Sequence, residues 1–500
     1  MPPSSLRVVY AFAREMHPKT TDVFIEYGTA GFRTKASLLE HVVYRMGLLA
    51  VIRSRVKNGR TIGIMITASH NLEPDNGVKL IDPEGEMLEQ SWEEIATRLA
   101  NVSDNDLEAT TVEVIKQVNA DMGLKASVFI GMDTRYTSPR LAAAAVHGVM
   151  ALKGTAKEFG IVTTPILHYC VRCRNDNTYG TPTEEGKKYG PYSLVSTPGE
   201  RGQLNLNCGA DFVKVSQKPP VGVEHAPFQR VASLDGDGDR LVYYYLDDNN
   251  KMHLLDGDKI ATLLASYVTQ LLKACEATDL KLGLVQTAYA NGASTKYITE
   301  DLKVPVSCVK TGVKHLHHAA QSYDIGVYFE ANGHGTVLYS DKAKTTIRRI
   351  AQEGEPEQRK AAQLLLNFID MTNETVGDAI SDLFLVETVL CARGQNVKEW
   401  MEAYTDLPCR QLKVTVQDRN AISTADAERR CTAPEGLQSR IDELVATYKS
   451  GRSFVRPSGT EDVVRVYAEA DTQENADKLA AQVSQAVFDL AGGVGDRPVA

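Results

Sequence analysis

No run of apolar residues in this chain is long enough to span a bilayer, and the one early hydrophobic stretch, residues 8–13, is bracketed by Arg7 and Arg14 and too short for a secretory signal. Membrane and exported classes are therefore not expected. Excess positive charge is missing as well: 55 lysines and arginines face 64 aspartates and glutamates, for a net charge of −9. That balance argues against a broad nucleic-acid face and requires any bound anion to be held by a local basic pocket. A disulfide framework is lacking, because the eight cysteines, at 170, 173, 208, 275, 308, 391, 409 and 431, are scattered. A reducing, cytoplasmic setting fits that usage. Cys170 and Cys173 have the spacing of half a zinc site, but no second pair follows at a suitable distance, and they receive no metal assignment. No internal repeat or low-complexity segment breaks the chain.

What is present is an ordinary globular composition, 43% hydrophobic and 24% charged, in 500 residues. That length exceeds what one hydrophobic core normally organises, so several domains are expected. Apolar, strand-like runs alternate with longer amphipathic stretches, the pattern of α/β layers. Strands are expected at 61–66, 127–132, 281–287, 323–330, 412–416 and 463–469, and helices at 139–153, 260–275 and 476–491. Residues 351–360 read as a solvated helix start or loop, and Pro74-Asp75-Asn76-Gly77 as a turn.

The most informative segment is Asp235-Gly236-Asp237-Gly238-Asp239-Arg240. Three carboxylates on alternate residues repel one another unless a cation sits among them, and hard oxygens without thiolate or imidazole select Mg²⁺, Ca²⁺ or Mn²⁺. An EF-hand also starts this way, but its sixth-position glycine is Arg240 here and its twelfth-position glutamate is Leu246, so that reading fails. Apolar flanks at 231–234 and 241–246 place the cluster on a turn between two strands. A solvated acidic turn is the plain alternative, yet it has no need of three carboxylates in register. The second segment, Thr67-Ala68-Ser69-His70-Asn71, follows a buried strand and puts Ser69 on a loop at a strand end, where ligands of open α/β sheets bind. Phosphorylated, such a serine carries about −1.5 to −2 charge and three strong acceptor oxygens.

Four separated segments carry a resemblance to a known family: Gly28-Thr29-Ala30-Gly31-Phe32-Arg33 with the loop 67–71; the aspartate cluster; Phe329-Glu330-Ala331-Asn332-Gly333-His334-Gly335; and Arg456-Pro457-Ser458-Gly459-Thr460-Glu461-Asp462. In this order they resemble the α-D-phosphohexomutases, most closely the branch acting on N-acetylglucosamine phosphates, and the likeness extends over most of the chain. It implies an α/β fold with four domains around a central cleft: three α/β domains with mixed sheets plus a C-terminal α+β domain, near 1–170, 171–285, 286–390 and 391–500.

The resemblance further implies that Ser69 is phosphorylated and donates its phosphoryl group to the sugar, and that Asp235, Asp237 and Asp239 hold Mg²⁺ together with an oxygen of phospho-Ser69. Arg33 and Arg240 would restrain that phosphate. Glu330, Asn332 and Gly333 would read sugar hydroxyls, Lys314 would meet a phosphate or hydroxyl, and His70 or His334 would move the proton. Arg456, Ser458, Gly459, Thr460 and Arg465 would hold the non-reacting phosphate, a turn composition suited to an anion. The implied reaction exchanges phosphate between O6 and O1 of N-acetylglucosamine, primed by glucose or N-acetylglucosamine 1,6-bisphosphate, on the route to UDP-N-acetylglucosamine. The partner is a small sugar phosphate, with neither nucleic acid nor membrane, and the expected state is a monomer. His315, His317 and His318 read as a helix face rather than a metal site.

Relatives open the second domain with a strand and glycine-rich turn, whereas this chain runs from Asn175 to Gln203 without one, so that domain is expected to be shortened. Three rival readings remain at this point. One is a mutase of glucose or mannose phosphates, one a phosphatase with Asp235 or Asp237 as nucleophile, and one a non-catalytic sugar-phosphate binder.

Overall fold

The computed structural model describes residues 15–28, 31–176, 179, 203–223, 226–458 and 462–499. Nearly all of the divergent stretch between Asn175 and Gln203 lies outside them, as do Thr29, Ala30, Gly459, Thr460 and Glu461. The chain divides into two compact units, one of Met1–Glu224, Ala232–Leu241 and Asn373–Ile380, the other of His225–Val231, Val242–Thr372 and Ser381–Ala500.

The first unit is built on a mixed five-stranded sheet, β1 (Phe32–Lys35), β2 (Ile62–Ile66), β3 (Asp75–Ile81), β4 (Ser127–Met132) and β5 (Thr155–Ile161), in the order β1-β3-β2-β4-β5. β2 runs parallel to β4 and antiparallel to β3, and it is buried at every residue, as its continuous apolar run requires. Helices α1 (Glu40–Val56) and α2 (Ser138–Ala151) supply much of the core against this sheet. α1 is buried on almost every face despite its arginines. Arg45 is tolerated there because its Nη1 donates to the carbonyls of Leu99, Ala100 and Val102, which end the helix Glu93–Asn101. Helix α3 (Thr164–Asn175) follows β5, with Thr163 as its N-cap.

The expected turn at 74–77 needs correction: Asp75 already begins β3. The turn-like composition has a packing cause. A Cβ on Gly77 would lie 2.4 Å from the Phe32 carbonyl oxygen and 2.5 Å from that of Thr67, so only glycine lets the three backbones meet. Asn76 is buried and donates to Thr137 Oγ1 and Ser138 Oγ.

After β3, burial pushes the Glu86 carboxyl up to about 7; its own backbone N–H opposes this, and Asp82 and Glu84 reinforce it. A folded-state value above the ordinary 4.5 means that Glu86 adds stability below about pH 4.5, and that this contribution is lost as the pH rises to about 7. Glu86→Gln is therefore expected to raise stability at pH 8 by about 2 kcal/mol and to flatten the dependence between pH 4.5 and 8. Denaturant melts of both proteins across that range measure it, and parallel pH curves would contradict the assignment.

β6 (Val231–Leu234) and β7 (Leu241–Leu246) flank the acidic turn as the sequence indicates, and β7 continues into an antiparallel pair with β8 (Met252–Leu255). In the second unit, helix α4 (Gly257–Ala274) precedes a four-stranded sheet of β9 (Leu282–Thr287), β10 (Val306–Val309), β11 (Ile325–Phe329) and β12 (Gly335–Tyr339), ordered β10-β9-β11-β12. Only β11–β12 is antiparallel. Helix α5 (Val313–Ala320) carries His315, His317 and His318, and His317 Nδ1 meets the Tyr328 hydroxyl at 3.0 Å, which fits the helix-face reading. Residues 351–360 hold the end of one helix, α6 (Asp341–Glu353), and the start of the next, α7 (Pro356–Met371).

The C-terminal part is α+β. β13 (Cys409–Thr415), β16 (Arg452–Pro457) and β17 (Val463–Glu469) form an antiparallel sheet in the order β13-β17-β16, beside a small hairpin, β14 (Ser423–Ala425) and β15 (Arg430–Ala433). Helices α8 (Leu437–Ala446) and α9 (Gln473–Leu490) share its core. Among the described residues, no helix is long and apolar enough to cross a membrane.

Candidate active site

In the first unit β2 delivers the loop 67–71. Thr67 N–H still bonds the Gly77 carbonyl (3.1 Å), so the loop leaves the sheet only after it. Ser69 is fully buried, with φ +53°, and its N–H donates to Thr67 Oγ1 (2.9 Å). A left-handed serine is uncommon, and the surroundings hold it. Arg135 Nη2 donates to the carbonyls of Ser69 (3.1 Å) and Asn71 (2.7 Å), and Asn205 Nδ2 donates to the same pair (2.8 and 3.0 Å). Arg135 is itself fixed by an ion pair with buried Asp133.

This conformation brings Ser69 Oγ to 3.0 Å from Asp235 Oδ2, which accepts its hydrogen bond. The acidic turn is internally organised, since Asp235 Oδ1 accepts from the N–H groups of Asp239 (3.1 Å) and Arg240 (3.2 Å). Asp235, Asp237 and Asp239 are all buried and offer carboxylate oxygens within 4.8 Å of one another. Burial, then Asp239 and Asp237, push the Asp235 carboxyl far above its usual range. Burial and Asp239 push Asp237 the same way, but Lys79 and Thr164 outweigh them and its net displacement is downward. Their contacts are direct: Lys79 Nζ lies 3.1 Å from Asp237 Oδ2 and 3.6 Å from Asp239 Oδ2, and Thr164 Oγ1 donates to Asp237 Oδ2 (2.7 Å). Asp237 Oδ1 is buried with no hydrogen-bond partner among the described residues. An all-oxygen trio with an orphaned lone pair fits a hard divalent cation such as Mg²⁺.

Three groups surround this centre. Arg33 projects from β1 with its Nε buried and unpartnered among the described residues; burial and Arg240 pull its guanidinium down, and the three aspartates oppose them. Arg240 pairs with Asp211 at 3.5 Å and stands 3.8 Å from both Asp235 and Asp239. His70 is driven down to about 3 by burial, then by Arg240 and Arg33, which makes it a neutral imidazole at ordinary pH.

The second unit gathers the remaining residues into two clusters. Glu330, Asn332, Gly333 and His334 form the β11–β12 turn, closed by Gly333 N–H to Glu330 O and Glu330 N–H to His334 O, both 2.9 Å. Asn332 Nδ2 donates to Glu330 Oε2 (3.3 Å), so the amide and carboxylate that would read hydroxyls are presented together. Gly257 supports the turn from the start of α4, where a Cβ would fall 1.9 Å from the Glu330 carbonyl oxygen. Gly312 N–H reaches Glu330 Oε1 (3.3 Å), and Lys314 lies in the first turn of α5.

The other cluster is basic. Arg456 on β16 and Arg465 on β17 are direct cross-strand partners. Like charges so placed repel; Glu428 offsets Arg456, while Arg465 Nε is buried with no partner among the described residues, so the pair could hold a further anion. Ser458 beside them is buried, its N–H bonded to Val463 O (2.9 Å).

Several of these residues escaped the sequence reading. Lys79 had a signal: a lysine inside the otherwise apolar Val78-Lys79-Leu80-Ile81. Arg135, Thr164, Asn205 and Glu428, which pairs with Arg456 at 2.9 Å, carry no comparable signal. Cys170 and Cys173 lie on α3 as free cysteines, and the aspartate trio is the one grouped set of metal-ligand side chains among the described residues.

Three family models match the chain: phosphoacetylglucosamine mutase AMG1, domain III, over residues 256–395; phosphoglucomutase/phosphomannomutase, C-terminal domain, over 412–486; and phosphoglucomutase/phosphomannomutase, alpha/beta/alpha domain I, over 39–106 and 101–179. Phosphoacetylglucosamine mutase of Sus scrofa is 51% identical, covering 96% of this chain and 97% of its own. That alignment is 528 positions long, more than the 500 residues here, so the relative carries positions that this chain lacks. The crystal structure of Aspergillus fumigatus N-acetylphosphoglucosamine mutase with GlcNAc-6P and magnesium superposes with a TM-score of 0.93 at 43% identity, over 98% of this chain and all of that one. A serine-to-alanine variant of the same fungal enzyme, in complex with glucose 1,6-bisphosphate, gives a TM-score of 0.92 at 42% identity over the same shares.

Proposed function

This chain belongs to the phosphoacetylglucosamine mutases of the α-D-phosphohexomutase superfamily, and on that premise we propose that it interconverts N-acetylglucosamine 6-phosphate and N-acetylglucosamine 1-phosphate through a phosphoserine at Ser69 and a 1,6-bisphosphate. The observation that carries this reading is Ser69 Oγ held 3.0 Å from a buried aspartate trio by a loop clamped from two sides. Likeness to N-acetylglucosamine-phosphate mutases over nearly the whole chain favours this substrate over glucose or mannose phosphates.

Asp235, Asp237 and Asp239 would hold Mg²⁺, with an oxygen of phospho-Ser69. Bound there, the ion supplies positive charge against the charge that develops on a transferring phosphoryl group. The chain's own residues do the positioning. Arg33 and Arg240 present guanidinium donors to the phosphoserine oxygens. His70 and His334 are the imidazoles available to carry the proton of the attacking or leaving hydroxyl, and the neutral state of His70 suits it to accept one. Glu330 and Asn332 pair donor and acceptor with vicinal sugar hydroxyls, and Lys314 adds a cation beside them. Arg456, Arg465 and Ser458, with Gly459 and Thr460 of the same motif, grip the phosphate that is not reacting. Turning over as the bisphosphate lets either phosphate of the sugar become the one transferred. We place the enzyme in the cytoplasm as a monomer of four domains, a setting that the eight free cysteines favour.

Exhaustive chelation is expected to reduce mutase turnover to background, and added Mg²⁺ with a 1,6-bisphosphate primer to restore it, followed by ³¹P NMR of the two sugar phosphates. Undiminished turnover after chelation would exclude the aspartate trio as a required metal centre.

A further inference from the structure

Glu428 belongs to no motif, yet its carboxylate joins the two clusters of the second unit. It sits in the turn between β14 and β15, where Asp426, Ala427 and Glu428 have φ of +51°, +54° and +68°. Three successive non-glycine residues in the left-handed region are costly, and such backbone persists where its surroundings impose it. Arg429 imposes it locally, bonding Asp426 through both its guanidinium and its N–H. The turn carries Glu428 inward: Oε1 accepts from Arg456 Nε (2.9 Å), and Oε2 accepts from both the N–H (2.9 Å) and the hydroxyl (2.6 Å) of Thr311. The next residue, Gly312, donates to Glu330 Oε1. One polar chain thus runs from the phosphate-gripping arginine through Glu428 and the 311–312 backbone to the carboxylate that reads the sugar.

We propose that Glu428 is a positioning residue that aims Arg456 and fixes the span between the phosphate grip and the sugar-reading turn. The contact engages Arg456 through Nε and one oxygen, so it leaves the Nη edge of the guanidinium uncommitted to this carboxylate and able to meet a phosphate. The other oxygen is tied down by two Thr311 donors, and the turn itself is locked. Glu428 is therefore a fixed strut rather than a mobile anion waiting to be displaced. The proposal rests on the reading of Arg456 as a grip on the non-reacting phosphate.

The test compares Glu428→Gln, Arg456→Lys and the double variant in the full-length, primed, Mg²⁺-loaded enzyme. Glu428→Gln keeps the size but loses the charge and one acceptor oxygen, so KM for N-acetylglucosamine 6-phosphate is expected to rise roughly fivefold to tenfold, with kcat within about twofold and a melting midpoint lowered by no more than a few degrees. Lysine has no Nε–H, so in the Arg456→Lys background the same change is expected to cost less than about twofold. Glu428→Asp, one methylene too short to span both partners, is expected to repeat the KM defect and covers the case of a Gln variant that does not fold. An unchanged KM in the folded variants, or a defect equally large beside Arg456→Lys, would overturn the proposal. A lowered KM would overturn it too, showing an internal competitor for the anion site. Arg456→Lys with unaltered KM would sink the underlying grip reading instead.

Discussion

Ser69→Ala is expected to cut mutase turnover by about ten-thousandfold or more while leaving the folded protein intact, because in the proposed mechanism it removes the atom that carries the phosphoryl group. The fold should tolerate the change. Ser69 Oγ gives up a hydrogen bond to Asp235 Oδ2, but Asp235 Oδ1 keeps its two backbone donors, and the loop is held through the Ser69 and Asn71 carbonyls, which alanine retains. Stability within about 1 kcal/mol of the parent is expected by thermal unfolding. Turnover and melting measured on one preparation separate this from a general defect. Substantial turnover in the alanine variant would favour an aspartate nucleophile, as in a phosphatase, over the serine.

A second large effect is expected at Arg135, a residue outside the motifs that mark the site. Arg135 is 1% exposed and simultaneously pairs with Asp133 and donates to the backbone of the Ser69 loop. Arg135→Ala leaves a buried carboxylate whose pKa burial already raises and which Arg135 opposes, so about 3–5 kcal/mol of stability should be lost. Released from its clamp, the loop should also misplace Ser69, lowering kcat by about a hundredfold. The double variant Asp133→Asn/Arg135→Met tells the two effects apart. It removes the stranded charge and should regain part of the stability, measured by denaturant titration, while kcat stays low. Normal kcat in that double variant would show that Asn205 alone suffices to hold the loop.

The parts of this molecule that sequence makes legible are those whose causes are local. β4 and β17 fall where their apolar runs predict, and Val231–Leu234 and Leu241–Leu246 flank the acidic turn as strands. The aspartates themselves need only their alternate spacing to declare a cation site. What sequence concealed depends on distant partners. Asp75-Asn76-Gly77 looks like a turn until Phe32 and Thr67 press on Gly77 from other segments. Asn205 reaches Ser69 across 136 positions, and Lys79 becomes a counter-charge only because folding sets it against Asp237, 158 residues away. Glu428 is the hardest to anticipate, since a left-handed turn without glycine leaves no compositional trace.

Intact-mass spectrometry with phosphosite mapping, on protein incubated with glucose 1,6-bisphosphate and quenched, is the most direct probe of the phosphoserine. A single added phosphate located on Ser69, absent from Ser69→Ala, is the expected result. A preparation that turns over its sugar phosphate yet carries phosphate only on some other residue, or none at all, would contradict the account.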